Sequence, residues 1–160
     1  MTTQKTPVAE PQIITLQAAG VWREGVRSEI KVRDFAALVS DEPEALGGQD
    51  QGPNPMEYVL GSFIGCLTVM LQLVGSEQAV ELTDLKFDLE GDIDLRGLFD
   101  TADVSPHFQA VRGVVTLETT AADEQITELI AESTRRCPAY NLFKDAGITP
   151  QLDWQVQRPA

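Results

Sequence analysis

Positive charge is scarce in this sequence of 160 residues: 12 lysines and arginines stand against 25 aspartates and glutamates, a net charge of −13. The cations are scattered rather than patched, so nothing in the chain would attract a phosphate backbone or an anionic lipid surface, which argues against nucleic acid and membrane as partners. Soft metal ligands are scarcer still. Two cysteines, Cys66 and Cys137, and one histidine, His107, are too few and too widely spaced for a structural zinc site. Met1 to Gln12 lacks the basic start and apolar run of a secretory signal, so a cytoplasmic location is expected. Cytosolic reductants keep thiols reduced, and a permanent structural disulfide is disfavoured there. The cysteines are then either core packing or reactive.

The length fits one compact domain, expected over residues 13–160 behind a polar, disordered tail at 1–12. Ile13 to Trp22, Val26 to Val32 and Phe35 to Val39 are rich in β-branched and aromatic residues and read as an antiparallel meander. Ser40 to Pro53 has turn chemistry and no apolar periodicity, and reads as a loop. Strands follow at Leu82 to Leu95 and Phe108 to Thr119, with a polar loop from Gly97 to His107 between them, and the two strands are expected to pair. Ala122 to Arg136 places Ile126, Leu129 and Ile130 on one stripe, with Asp123 and Glu124 in its first turn, as an amphipathic helix prefers. Pro138 ends that ladder and opens a short helix through Phe143 to about Gly147, before a last strand near Leu152 to Val156. The class is α+β, with two main helices against a curved antiparallel sheet.

Asn54 to Val74 is the most informative stretch. Asn54 serves as N-cap, Pro55 as first helical residue and Glu57 as the third, which makes a capping box. Apolar residues then cover nearly the whole circumference, interrupted by Gly61, Ser62 and Gly65, so the helix reads as buried on all sides. At about 1.5 Å per residue it would be long enough to span a bilayer. Glu57, Gln72 and the strand-like flanks favour a central core helix instead.

A thiolate rather than a thiol is the reactive nucleophile, so the local setting of each sulfur matters. Cys137 stands where a short helix begins, beside Arg135 and Arg136, and on local sequence alone is the more acidic thiol. Cys66 lies mid-helix, far from any dipole end, and needs a cation from elsewhere. Arg23 and Arg27 are the candidates. Without one, Cys66 reads equally as packing, since free cysteine is among the most buried residue types.

Gly52-Pro53-Asn54-Pro55-Met56-Glu57, then Leu60 and Cys66, resembles the segment ahead of the first cysteine in OsmC/Ohr proteins. The order of features also agrees: Asp41-Glu42-Pro43 with Gly47-Gly48 before it, Gly91 to Gly97 after it, and Cys137-Pro138 closing the pattern. The resemblance implies an OsmC-like intertwined homodimer with the central helices buried at the interface. It implies a thiol-dependent peroxidase acting on organic hydroperoxides, with hydrogen peroxide as an alternative substrate, in which Cys66 becomes a sulfenic acid and Cys137 resolves it as a disulfide. No bound cofactor is implied; an external dithiol, such as a lipoylated protein, would restore the pair. Arg23, with Arg27 as substitute, resembles the family's thiolate-stabilising arginine. The sequence departs from the best-known hydroperoxide members at Met56, where they carry a glutamate; Glu57, one residue later, is the candidate for that catalytic role, with the capping box as its other reading. Nine residues on an ideal helix is about half a turn of offset, so Glu57 and Cys66 do not share a face within one chain.

Two further signals point to blander readings. Asp92, Asp94, Gly97, Asp100 and Asp103 follow calcium-loop spacing, but Arg96 occupies a ligand position and would oppose the ion. His107, beside Pro106, has no nucleophile near it in sequence and reads as a loop or interface residue. The alternative to an enzyme is a non-catalytic protein of the same fold that binds a lipid or another small molecule in an apolar pocket.

Overall fold

In the computed structural model, residues 10–159 are described. The chain, expected as one domain, divides into two compact units, Met1–Pro55 and Met56–Ala160. Most of the expected N-terminal tail lies outside the described residues, and 10–12 carry no regular structure.

The N-terminal unit is an antiparallel meander of β1 (Ala19–Glu24), β2 (Arg27–Lys31) and β3 (Leu38–Ser40). Its first strand starts six residues later than the composition predicts, because pairing begins with Ala19 opposite Lys31, the last residue of β2. Residues 13–18 therefore have no partner strand and stay irregular. The third strand is also shifted, to Leu38–Ser40. Arg33 takes a left-handed backbone (φ 50) and Lys31 Nζ donates to Phe35 O, which holds the intervening residues in a turn. The loop after β3 is gathered around Asp41, which is buried. Its carboxylate accepts from the backbone N–H groups of Glu42 at 2.9 Å, Gln49 at 3.1 Å and Gln51 at 3.2 Å.

The C-terminal unit opens with α1 (Pro55–Gln78), followed by β4 (Asp84–Ile93), the short α2 (Leu95–Leu98), β5 (Phe108–Glu118), α3 (Asp123–Arg136), α4 (Pro138–Asp145) and β6 (Gln151–Gln157). The β4 and β5 strands pair antiparallel as expected. The β6 strand pairs parallel to β5, which corrects the expectation of a wholly antiparallel sheet. Two helices separate these strands, and a crossover of that kind carries the chain from the end where β5 stops back to the end where β5 began, so that β6 runs parallel to it. A single curved sheet is also not what forms: each unit has its own three-stranded sheet.

The core of this unit is built on α1. Phe63, Leu67, Leu71 and Val74 are fully buried, against Val111 of β5, Leu129 of α3 and Phe143 of α4. Within a single chain the helix is not buried on all sides. One face is covered, whereas Val69 is 64% exposed, Leu73 is 45% exposed, and Gly61, Ser62 and Gly65 are open on the same side. By length and composition alone α1 could cross a membrane. One face of it packs into the core of this unit.

Candidate functional site

Cys66 is carried at the middle of α1, and Cys137 is the single residue between α3 and α4. The fold brings together these two sulfurs, 71 positions apart, at an Sγ–Sγ distance of 3.4 Å, and both are free thiols. That is too long for a disulfide, which needs about 2.05 Å, and near enough that a small shift would close one. Their exposure differs. Cys137 is fully buried, whereas Cys66 keeps part of its surface open.

Cys137 holds its place because the joint around it is tied on both sides. Pro138 has no N–H and cannot continue α3, so the chain breaks there and restarts as α4. Cys137 N donates to Ser133 O at 3.0 Å, and Tyr140 N donates to Cys137 Sγ at 3.5 Å. Asn141 Nδ2 donates to both Arg135 O at 3.1 Å and Cys137 O at 2.8 Å, pinning the last turn of α3 to the first turn of α4. Composition and pattern reading had not singled out Asn141. The signal was its position four residues after Cys137, one helical turn, where a short amide can reach back to a broken helix end.

Local sequence favours an acidic Cys137, and its burial in the structure opposes this. Burial pushes the Cys137 thiol up to about 11, ahead of the opposing pull of the Tyr140 and Ala139 amides, and the hydrogen bond and charge of Cys66 push the same way. Neither neighbouring arginine is free to help. Arg135 is paired with Glu132 at 2.6 Å, and Arg136 with Glu77 at 2.5 Å.

An aromatic wall stands beside the thiols. Phe63, one turn before Cys66, packs on Phe143 with ring centres 5.2 Å apart and on Tyr140 at 6.2 Å, and Phe108 meets Phe143 at 5.7 Å. An added Cβ at Gly91 would sit 2.5 Å from the Phe108 ring, so glycine is what lets that ring lie against β4. Next to the wall lies a cavity of about 200 Å³, lined by Val59 and Ser62 of α1, Leu142 and Phe143 of α4, His107 and Ile148. Ser62 precedes Cys66 by four residues and so shares its face of α1. Ser62 Oγ donates to Val59 O at 2.8 Å. Gly147, with φ 84, terminates α4 and turns Ile148 back toward Phe143, whose carbonyl accepts from Ile148 N at 2.9 Å.

Arg23 and Arg27 belong to the N-terminal unit, where Arg23 pairs with Glu29 at 2.6 Å and Arg27 with Glu24 at 2.9 Å. Glu57 is exposed in the first turn of α1, and because the helix runs unbroken to Gln78 its half-turn offset from Cys66 stands. His107 lines the cavity, its Nδ1 within 2.6 Å of Phe108 O. In the calcium-like run, the Asp92 carboxylate takes Arg112 at 2.5 Å and Asp94 takes Arg96 at 2.6 Å. The Arg96 guanidinium and its backbone N–H hold the Asp94 carboxyl down to about 2. No group of three or more His, Cys, Asp or Glu residues able to hold a metal exists among the described residues.

Comparison with known proteins agrees with this architecture. An OsmC-like protein from Mycoplasma pneumoniae superposes with a TM-score of 0.78 at 14% identity, covering 91% of this chain and 99% of its own. A Legionella pneumophila structure, described as an organic hydroperoxide resistance protein OsmC and predicted redox protein, gives 0.64 at 17% identity, covering 92% of this chain and 99% of its own. The organic hydroperoxide resistance protein OhrB of Bacillus subtilis gives 0.58 at 18% identity, covering 90% and 98%. These likenesses show the fold. No curated protein matches the sequence. The family model described as OsmC-like protein matches residues 48–153, which include the dithiol, the cavity and most of the core, and the chain therefore belongs to the OsmC-like protein family.

Proposed function

We propose that the protein is a cytoplasmic thiol-dependent peroxidase of organic hydroperoxides, with Cys66 as the attacking sulfur and Cys137 as the resolving one. The observation that carries this reading is the pair of free thiols 3.4 Å apart, one partly open to solvent and one fully buried. Attack requires access, and the more exposed sulfur has it. The Cys66 thiolate attacks the outer oxygen of ROOH; the O–O bond breaks, Cys66 becomes a sulfenic acid, and the alkoxide takes up a proton to leave as ROH. Cys137 sulfur then attacks Cys66 sulfur. The S–S bond forms, the S–O bond breaks, and the sulfenic hydroxyl leaves with the Cys137 proton as water. An external dithiol, of the lipoyl type, is oxidised as it reduces the disulfide by exchange.

The cavity next to the aromatic wall supports an alkyl or aryl hydroperoxide, since most of its lining is apolar. Arg23, or Arg27 in its stead, and Glu57 are the residues that family resemblance nominates to assist, and a homodimer is part of the same proposal. The exposed apolar face of α1 supports the dimer, because a patch of that kind on one chain marks an interaction surface.

The cavity alone would serve the second reading, a non-catalytic binding protein, equally well. Mass spectrometry after one equivalent of cumene hydroperoxide separates the two: a loss of about 2 Da, for one disulfide, is expected. An unchanged dithiol would reject the enzyme. Cys66→Ser is expected to abolish peroxide consumption with dihydrolipoamide as donor, and Cys137→Ser to leave Cys66 oxidised at its sulfur without a bridge.

A further inference from the structure

A sulfur anion withdrawn even partly from water needs hydrogen-bond donors. Cys66 lies in the interior of α1, where the backbone N–H groups belong to the helix ladder and neither helix end is near. Within hydrogen-bonding distance of its Sγ is the Cys137 thiol, at 3.4 Å. We infer that the Cys137 thiol donates its S–H to the Cys66 thiolate and stabilises it, so that the residue proposed to close the disulfide also activates the sulfur that attacks. The second half of that statement rests on the peroxidase reading; the first half does not.

The direction of the bond follows from the surroundings. Burial penalises the charged form, so the fully buried Cys137 is the sulfur that keeps its proton. The acceptor side of Cys137 sulfur is already taken by Tyr140 N–H at 3.5 Å, which leaves its hydrogen for another partner. The charged groups on the adjoining helices are committed to one another: Arg136 to Glu77 of α1 and Glu132 of α3, and Arg135 to Glu132. The remaining titratable group at the joint, Tyr140, packs its ring against Phe63.

The pair thus shares one negative charge, held on Cys66, with the second proton retained on Cys137. Burial of Cys137 and the neighbouring Cys66 charge both act to keep that proton in place. Once Cys66 is a sulfenic acid its charge is gone, and the retained proton is the one that leaves as water when the disulfide forms.

The test is the pH dependence of Cys66 alkylation by iodoacetamide, located by peptide mass spectrometry, in the wild type, Cys137→Ala and Cys137→Ser. Removing the donor in Cys137→Ala is expected to raise the Cys66 midpoint by about one pH unit, leaving roughly tenfold less thiolate below it. Cys137→Ser keeps an O–H donor and is expected to stay closer to the wild type. An unmoved midpoint in Cys137→Ala, or equal shifts in both variants, would overturn the inference. The wild-type S–H infrared band supplies a measurement that needs no variant: it is expected to move to lower frequency as Cys66 ionises, and a fixed band would overturn the bond. Neither readout uses a peroxide. A protein that consumed none while keeping this order would lose the peroxidase reading and retain the donor.

Discussion

Each unit carries a three-stranded sheet, yet the two differ in what their sheets bury. In the C-terminal unit, α1, α3, α4 and the inner face of the sheet converge on fully buried Phe63, Leu71, Val111, Val115 and Leu129. In the N-terminal unit, the buried residues among those described are Ser40 and Asp41, both polar, while Trp22 is 70% exposed and Phe35 is 59% exposed. A hydrophobic sheet without a covering layer is not a stable solution by itself. One unit is therefore specified by its own sequence, and the other presents apolar surface that asks for a partner, which the proposed homodimer would provide.

The contrast can be broken or sharpened by substitution. Leu71→Ala, in the center of the built core, is expected to cost about 3–5 kcal/mol in urea or thermal unfolding. If the N-terminal unit is completed by a second copy, the wild-type unfolding midpoint rises with protein concentration, by about 2.7 kcal/mol of apparent stability at a hundredfold excess over dissociation. Trp22→Ala is expected to weaken that concentration dependence, and a dependence left intact would place the partner surface elsewhere. Asn141→Ala leaves the Arg135 and Cys137 carbonyls without their side-chain donor, costing about 1–2 kcal/mol. It also slows disulfide closure relative to the first oxidation of Cys66, which rapid-quench mass spectrometry reads directly.

Asp41 tests the buried polar center of the loop after β3. Desolvation raises its carboxyl, but the backbone N–H groups of Glu42, Gln51 and Gln49, together with Arg27, outweigh it and hold the group below its ordinary value. A depressed folded value stabilises the fold above the unfolded carboxylate value, near 4, and that contribution fades as pH falls through the folded one. Asp41→Asn is accordingly expected to lower the thermal midpoint at neutral pH, with the difference from wild type shrinking under acid. The smallest effect belongs to Arg23→Ala. Its pair with Glu29 is exposed, so thermal stability should stay unchanged. A raised Cys66 alkylation midpoint in that variant would show that the N-terminal unit contributes to thiolate stabilisation.

Much of the fold was legible because its signals are local. The alternation of Leu85, Phe87 and Leu89 against Lys86, Asp88 and Glu90 marked β4, and Pro138 with the following Phe143 marked the break and restart at α4. The errors came where a partner decides. Residues 13–18 have strand composition but no strand opposite them, and the direction of β6 depends on two helices that return the chain to β5. The exposed side of α1 has the same origin, since an apolar circumference says that burial is wanted without saying what supplies it.

The sequence by itself determined where helices and strands begin and end through most of residues 55–157, the presence of two cysteines and no other soft-ligand cluster, and membership of the OsmC-like family. Only the tertiary structure decided which thiol is the more open. Neighbouring arginines and a helix start argued for an acidic Cys137, but acidity is set by solvation and by what those cations are already bound to. Both are properties of the packed chain, because burial and ion pairing join residues such as Glu77 and Arg136 that are 59 positions apart.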